Sequence, residues 1–191
     1  MRSFSADVAH ESRTPLAGLE TTLEVCALRD REPNAYKVTI GKCLEVALGM
    51  HVMFNNLLSL ARAESNTLKL QIEETNIREF LRESWMQFSA KAEQRVLRVL
   101  WNDQASGSIL LDREELRLIF GNLFDNATTY ADEGGMINIE SEFRNEVLFI
   151  SIVNSGCFLN ESDVPLLFER FWRSDKASSD AGIRSGLGLS L

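Results

Sequence analysis

Apolar residues along the first sixty positions recur at helical spacing. Leu16, Leu19, Leu23 and Cys26 form one stripe of a helix expected over residues 1 to about 28. The charged run Arg29–Asn34, with Pro33, reads as a connection. A second helix is expected from about Tyr36 to Ala63. There Tyr36, Thr39, Cys43, Val46, Met50, Met53, Leu57 and Leu60 alternate spacings of three and four, a sustained heptad seam. A second stripe, Ile40, Leu44, Ala47, Phe54, Leu58 and Ala61, lies beside it. One helical hairpin cannot cover so wide a face, whereas two hairpins from two copies can, as a four-helix bundle. His51 falls on the second stripe and reads as a core-edge histidine.

The helical period stops near Ser65, where a domain boundary is expected. Leu68, Leu70 and Ile72 alternate as a short strand. Asn76 reads as an N-cap with Glu79 completing a capping box, and Phe80, Leu81, Trp85 and Phe88 point inward from the helix that follows. A strand near Val96–Trp101 leads to the polar turn NDQASGS, and Asp112 caps a further helix to about Tyr130. Met136–Phe143 and Val147–Val153 alternate as strands, and a short amphipathic piece spans Pro165–Trp172. The pattern is an α-helical hairpin followed by an α/β two-layer sandwich.

Composition narrows this little. Of 191 residues, 45% are hydrophobic and 25% charged, as in ordinary globular domains. The net charge of −8 argues against nucleic acid or an anionic membrane as the main partner. Cys26, Cys43 and Cys157 lack metal-ligand spacing and read as reduced, packed thiols of a cytosolic setting. No uninterrupted apolar run reaches membrane-spanning length.

Two stretches carry chemistry. In FSADVAHESRTPLAGL, His10 shares a helical ridge with Thr14, and Glu11 sits beside it. A nucleophilic imidazole needs a base to take its proton, and the neighbouring carboxylate is the simplest supplier. Pro15 removes a backbone donor close by. In GNLFDNATTYA, Asn122, Asn126 and Thr129 share a polar arc beside buried Leu116, Ile119, Phe120, Leu123 and Ala127. Asparagine is a mediocre helix former, but its carbonyl oxygen suits Mg²⁺ bridging nucleotide phosphates.

Together these runs resemble the motifs of two-component sensor histidine kinases. The first is similar to the phospho-acceptor box and the second to the N box, N-x-x-x-N-A-x-K-Y. IVNSG (Ile152–Gly156) resembles the first glycine box, LFERFWRSD the F box, and GIRSGLGLSL the second glycine box. The resemblance covers nearly the whole chain. It implies a dimerisation and phosphotransfer domain over residues 1–64 and a histidine-kinase-type ATP-binding domain over 65–191. His10 is then the acceptor of the ATP γ-phosphoryl group, Glu11 the base, and Thr14 an orienter of water in dephosphorylation. Asn126 is the implied Mg²⁺ ligand, Asn122 assists at the phosphates and Tyr130 lines the adenine side. Asn154 and Gly156 belong to the first glycine box, with Asn154 where the family has aspartate. Phe168 and Phe171 are expected packing anchors, and Arg170 or Arg173 a contact of the terminal phosphate. Gly186 and Gly188 allow close approach to phosphates.

Thr129 stands where the family has lysine, and Arg184 where it has glycine. These departures carry the alternative, a dimeric scaffold with a decayed ATPase domain. A more distant rival is an ATPase of this fold lacking a histidine acceptor, against which the His10–Pro15 run argues. The implied cofactors are ATP and Mg²⁺. The implied partners are a second copy and a cognate response regulator, with a membrane reached only through segments of a longer parent. The chain begins almost at the acceptor box and stops just inside the second glycine box. It is therefore expected to be part of a longer kinase, with the Val147–Val153 strand left as an open edge.

Overall fold

The computed structural model describes residues 4–65, 67–156, 159–172 and 186–190. The chain forms two compact units, Met1–Asn66 with Asn160–Leu191, and Thr67–Leu159.

In the first unit, α1 (Phe4–Ala27) and α2 (Pro33–Glu64) form the expected hairpin. Pro33 opens α2 instead of lying in the connection, because the first helical position needs no backbone donor. The heptad seam is the covered side of α2. Met53, Leu57 and Leu60 are buried and Tyr36, Thr39, Cys43, Val46 and Met50 half-buried. The second stripe is open to solvent in the single chain, with Ile40, Leu44, Phe54 and Leu58 all exposed. On α1, Cys26 and Pro15 are buried while Leu16 and Leu23 are exposed. α2 is thus apolar on two sides and, by length and composition alone, long and apolar enough to cross a membrane, although Lys42, Glu45, His51 and Asn55 interrupt its apolar residues. His51, on the second stripe, is likewise exposed in the single chain, its Nε2 3.1 Å from Asn55 Nδ2. After Leu159 the same unit continues through a 3-10 turn, Glu161–Leu166.

The second unit runs β1 (Ile72–Asn76), α3 (Ile77–Gln94), β2 (Arg98–Asp103), β3 (Ser108–Asp112), α4 (Arg113–Tyr130), β4 (Met136–Arg144) and β5 (Val147–Asn154). Two differences from the expected elements stand out. The first strand begins at Ile72, beyond the Leu68–Leu70 alternation, because its antiparallel partner β3 starts pairing at Ile72↔Asp112. β3 itself, within GSILLD, has no counterpart among the expected elements. Its Ile109-Leu110-Leu111 run is too short for a period-2 signal, and only pairing with β1 makes it a strand. The second sheet has order β2-β4-β5, with β2 parallel and β5 antiparallel to β4. Asn145 and Glu146 both take positive φ, 49° and 65°, in the two-residue β4–β5 turn. β5 lies at the sheet edge among the described residues, with Val147, Phe149 and Val153 exposed.

Capping fixes both helix starts. Asn76 Oδ1 accepts from Glu79 N at 3.2 Å. Asp112 Oδ1 accepts from Glu114 N and Glu115 N, while its Oδ2 accepts from Gln71 N at 2.7 Å. These backbone donors, led by Gln71, hold the Asp112 carboxyl below its ordinary pKa.

The core lies between α3, α4 and the three-stranded sheet. Phe80, Leu81, Phe124, Ile137 and Ile139 are fully buried. Trp85 packs edge-to-face on Phe124 at 5.3 Å and on Trp101 at 6.2 Å. The Phe124 ring of α4 is fully buried against Trp85 and Phe88 of α3, so Phe124→Ala should lower the unfolding free energy of this unit by about 3–5 kcal/mol, read from the denaturant midpoint. A loss under ~1 kcal/mol would show that the ring is not a packing centre.

Candidate functional site

Rotation of α4 about its axis decides which side chains can meet a ligand. The aromatic core holds Phe120, Phe124, Ala127 and Thr128 inward. Ile119, expected inside, is 39% exposed, and Phe124 and Thr128 take its share of the buried arc. Asn122, Asn126 and Tyr130 are left half-buried on the opposite arc.

Two cations from the end of α3 tie down the C-terminal half of α4, whose own last turn has no basic residue. Arg95 donates to the carbonyls of Thr128 and Thr129, both at 2.5 Å, and of Ala131 at 2.7 Å. It satisfies acceptors that a helix C-terminus leaves without intrahelical donors. Lys91 Nζ lies 2.6 Å from both Asp125 Oδ1 and Thr129 Oγ1. No pattern in the sequence signals either contact.

The end of β5 is drawn against the end of α4. Asp132 N donates to Ser155 O at 3.2 Å, and Met136 N to Ser155 Oγ at 2.9 Å. Gly156 has φ +83°, and a Cβ there would stand 2.6 Å from Asp132 Oδ1, so a side chain is excluded. Asn154 Nδ2 donates to Ser155 O at 3.0 Å and Gly156 O at 3.3 Å. With its nitrogen turned to those carbonyls, Asn154 has its amide oxygen to offer a ligand. The fold thus brings the N-box helix and the first glycine-box turn together within the second unit.

The remaining expected residues lie in the first unit. His10 is 70% exposed, and its Nδ1 stands 3.9 Å from Glu11 Oε1. Thr14 is exposed on the same ridge, and Pro15 within α1 deprives the Glu11 carbonyl of its helical donor. Of the two expected packing anchors, Phe171 meets the hairpin, whereas Phe168 is 69% exposed. Phe171 takes a positive φ of 63°. Arg170 pairs with Glu64 at the end of α2. Gly186, at φ +66°, passes over the Phe171–Trp172 backbone, where a Cβ would stand 2.7 Å from Trp172 O. Its close approach is therefore to the protein's own chain. Leu187 is buried against Met53 and Leu57, with Val8 and Phe171 beside them. Gly188 lies half-buried in the single turn that follows, closed by Ser190 N to Leu187 O at 3.2 Å. Arg173, Arg184 and Cys157 lie outside the described residues.

Comparison with known proteins gives a consistent picture. The family model "His Kinase A (phospho-acceptor) domain" matches residues 1–66. The model "Histidine kinase-, DNA gyrase B-, and HSP90-like ATPase" matches residues 111–191. The sensor protein CzcS of Cupriavidus metallidurans is 32% identical over 190 residues, covering 98% of this chain and 39% of CzcS. The chain therefore spans about two fifths of that relative's length. The Acinetobacter baumannii histidine kinase AdeS has the same fold, with TM-score 0.73 at 22% identity over 95% of this chain and 82% of that one. Histidine kinase ThkA, solved in complex with response regulator protein TrrA, superposes with TM-score 0.68 at 22% identity over 88% of this chain and 50% of that one.

Proposed function

Because the chain belongs to the sensor histidine kinases, with phospho-acceptor and ATPase domains in that order, we propose that it phosphorylates His10 from ATP and passes the phosphoryl group to an aspartate of a response regulator. The observation that carries this reading is the exposed His10 imidazole with Glu11 beside its Nδ1. Phosphoryl transfer demands an accessible nucleophile and a nearby base, and this helix face offers both.

ATP, when bound, supplies the γ-phosphoryl group. His10 Nε2 forms the new N–P bond as the bond to the bridging oxygen breaks, and ADP leaves with that electron pair. Glu11 takes the Nδ1 proton. At 3.9 Å the carboxylate is beyond hydrogen-bond reach and must close by about 1 Å, which the exposed imidazole can do by rotating toward the half-buried carboxylate. Asn126, assisted by Asn122, is suited to a Mg²⁺ that keeps waters and phosphate oxygens as its other ligands. Among the described residues no group of three or more His, Cys, Asp or Glu side chains could hold a metal. A cation carried in with the nucleotide fits that donor set. Asn154 would accept from the adenine amino group beside Tyr130, and Gly156 would let the base come close. Arg170, Arg173, Phe168, Gly186 and Gly188 stay proposed for the nucleotide on the resemblance of their motifs alone, with Gly186 already set against the Phe171–Trp172 backbone, and Thr14 would orient water in dephosphorylation.

We place the domain limits at residues 1–64 and 65–191, the chain on the cytoplasmic side, and its parent protein at the cell membrane. The exposed stripe Ile40, Leu44 and Leu58, with Leu16 and Leu23, fits a second copy of the hairpin. The solved ThkA–TrrA complex supports a response regulator as the second partner.

Incubation with γ-labelled ATP and Mg²⁺ should give acid-labile, base-stable label on the chain. Absence of label would leave the scaffold alternative. Glu11→Gln should slow labelling by about 10²–10⁴-fold with ATP affinity unchanged. An equal loss of affinity would make Glu11 structural.

A further inference from the structure

Resting on the nucleotide reading above, we propose that Lys91 of α3 is a phosphate-binding residue, supplying from a neighbouring helix the positive charge that position 129 of α4 lacks.

The Asn122–Asn126 arc offers a polyphosphate only neutral groups, and the nearest residue on the same arc toward the C-terminus, Thr129, is neutral too. A nucleoside triphosphate carries several negative charges, and chelated Mg²⁺ removes only part of them. Lys91 places an ammonium 2.6 Å from Thr129 Oγ1. Thr129 is one helical turn from Asn126 (i, i+3), so the ammonium sits over the ridge next to the asparagines.

The other cation here is already committed. Arg95 spends its donors on three carbonyls at the end of α4. Lys91 is held differently, by a carboxylate and a hydroxyl, and its side chain is 33% exposed. Asp125 is its competitor for any phosphate. That carboxylate is 38% exposed, so water can solvate it when the ammonium turns away, and the exchange costs little. A lysine ammonium on a flexible four-carbon stem can make that turn, and Thr129 Oγ1 gives it a neutral resting partner that does not cancel its charge.

The test is nucleotide binding to the full chain, measured by calorimetry with ATP, ADP and adenosine. Lys91→Met keeps the stem and removes the charge. It should raise the Kd for ATP about tenfold, that for ADP less, and leave adenosine unchanged. Lys91→Arg should retain most of the ATP affinity. Adding Thr129→Lys to Lys91→Met should restore it, because the ammonium then rises from α4 itself. A purely structural tie between α3 and α4 would weaken ATP and adenosine alike and would not be rescued by Thr129→Lys. Either that pattern, or unchanged ATP affinity in Lys91→Met, overturns the proposal while leaving the kinase reading intact. An unaltered chain that binds no nucleotide overturns both.

Discussion

His10→Gln is expected to eliminate phosphoryl labelling altogether, while His51→Gln leaves it at the level of the unaltered chain. The chain has two histidines, so the pair of variants is a complete assignment. Both are exposed on helices of the hairpin, and accessibility does not separate them. Their neighbours do. His10 has the Glu11 carboxylate near Nδ1, which leaves Nε2 free to attack, whereas His51 Nε2 is engaged by Asn55. Glutamine keeps a polar side chain of comparable reach on α1, so the hairpin should fold and ATP binding by the other domain should persist. The measurement is acid-labile label on each variant beside ATP affinity by calorimetry. Label persisting on His10→Gln would overturn the acceptor assignment.

Asn126→Ala should raise the Kd for ATP in Mg²⁺ by about 100-fold, near 2.7 kcal/mol, and should abolish the difference between Mg²⁺ and chelator. Asn126 faces outward only because Phe124 and Phe120 lock the opposite side of α4 into the core. Removing its amide takes away the oxygen offered to the cation without touching that core. Asn122→Ala should have a smaller effect, since its role is to assist at the phosphates. The same Mg²⁺ dependence in Asn126→Ala and the unaltered chain would remove Asn126 from the metal site.

What the sequence alone determined are the features written in local periodicity and local hydrogen bonding. The α2 seam is legible because Met53, Leu57 and Leu60 recur at heptad spacing, and burial follows that spacing. The Asn76 and Asp112 caps are legible because a cap is a contact between residues two or three apart. The acceptor run and the asparagine pair are legible for the same reason: each motif lies within one or two helical turns. Tertiary structure decided everything that depends on residues far apart in the chain. β3 exists as a strand through its register with β1. Ile119 is exposed because the aromatic packing of Phe124 with Trp85 sets the rotation of α4. Phe171 rather than Phe168 packs, and Gly186 is required, because the chain crosses over itself there. Lys91 reaches Thr129 across 38 residues, so a positive charge from another helix stands beside a position where α4 itself carries a neutral residue. A sequence pattern records which face of an element is apolar, but which side chain from another element arrives on its polar face is settled only when the elements pack.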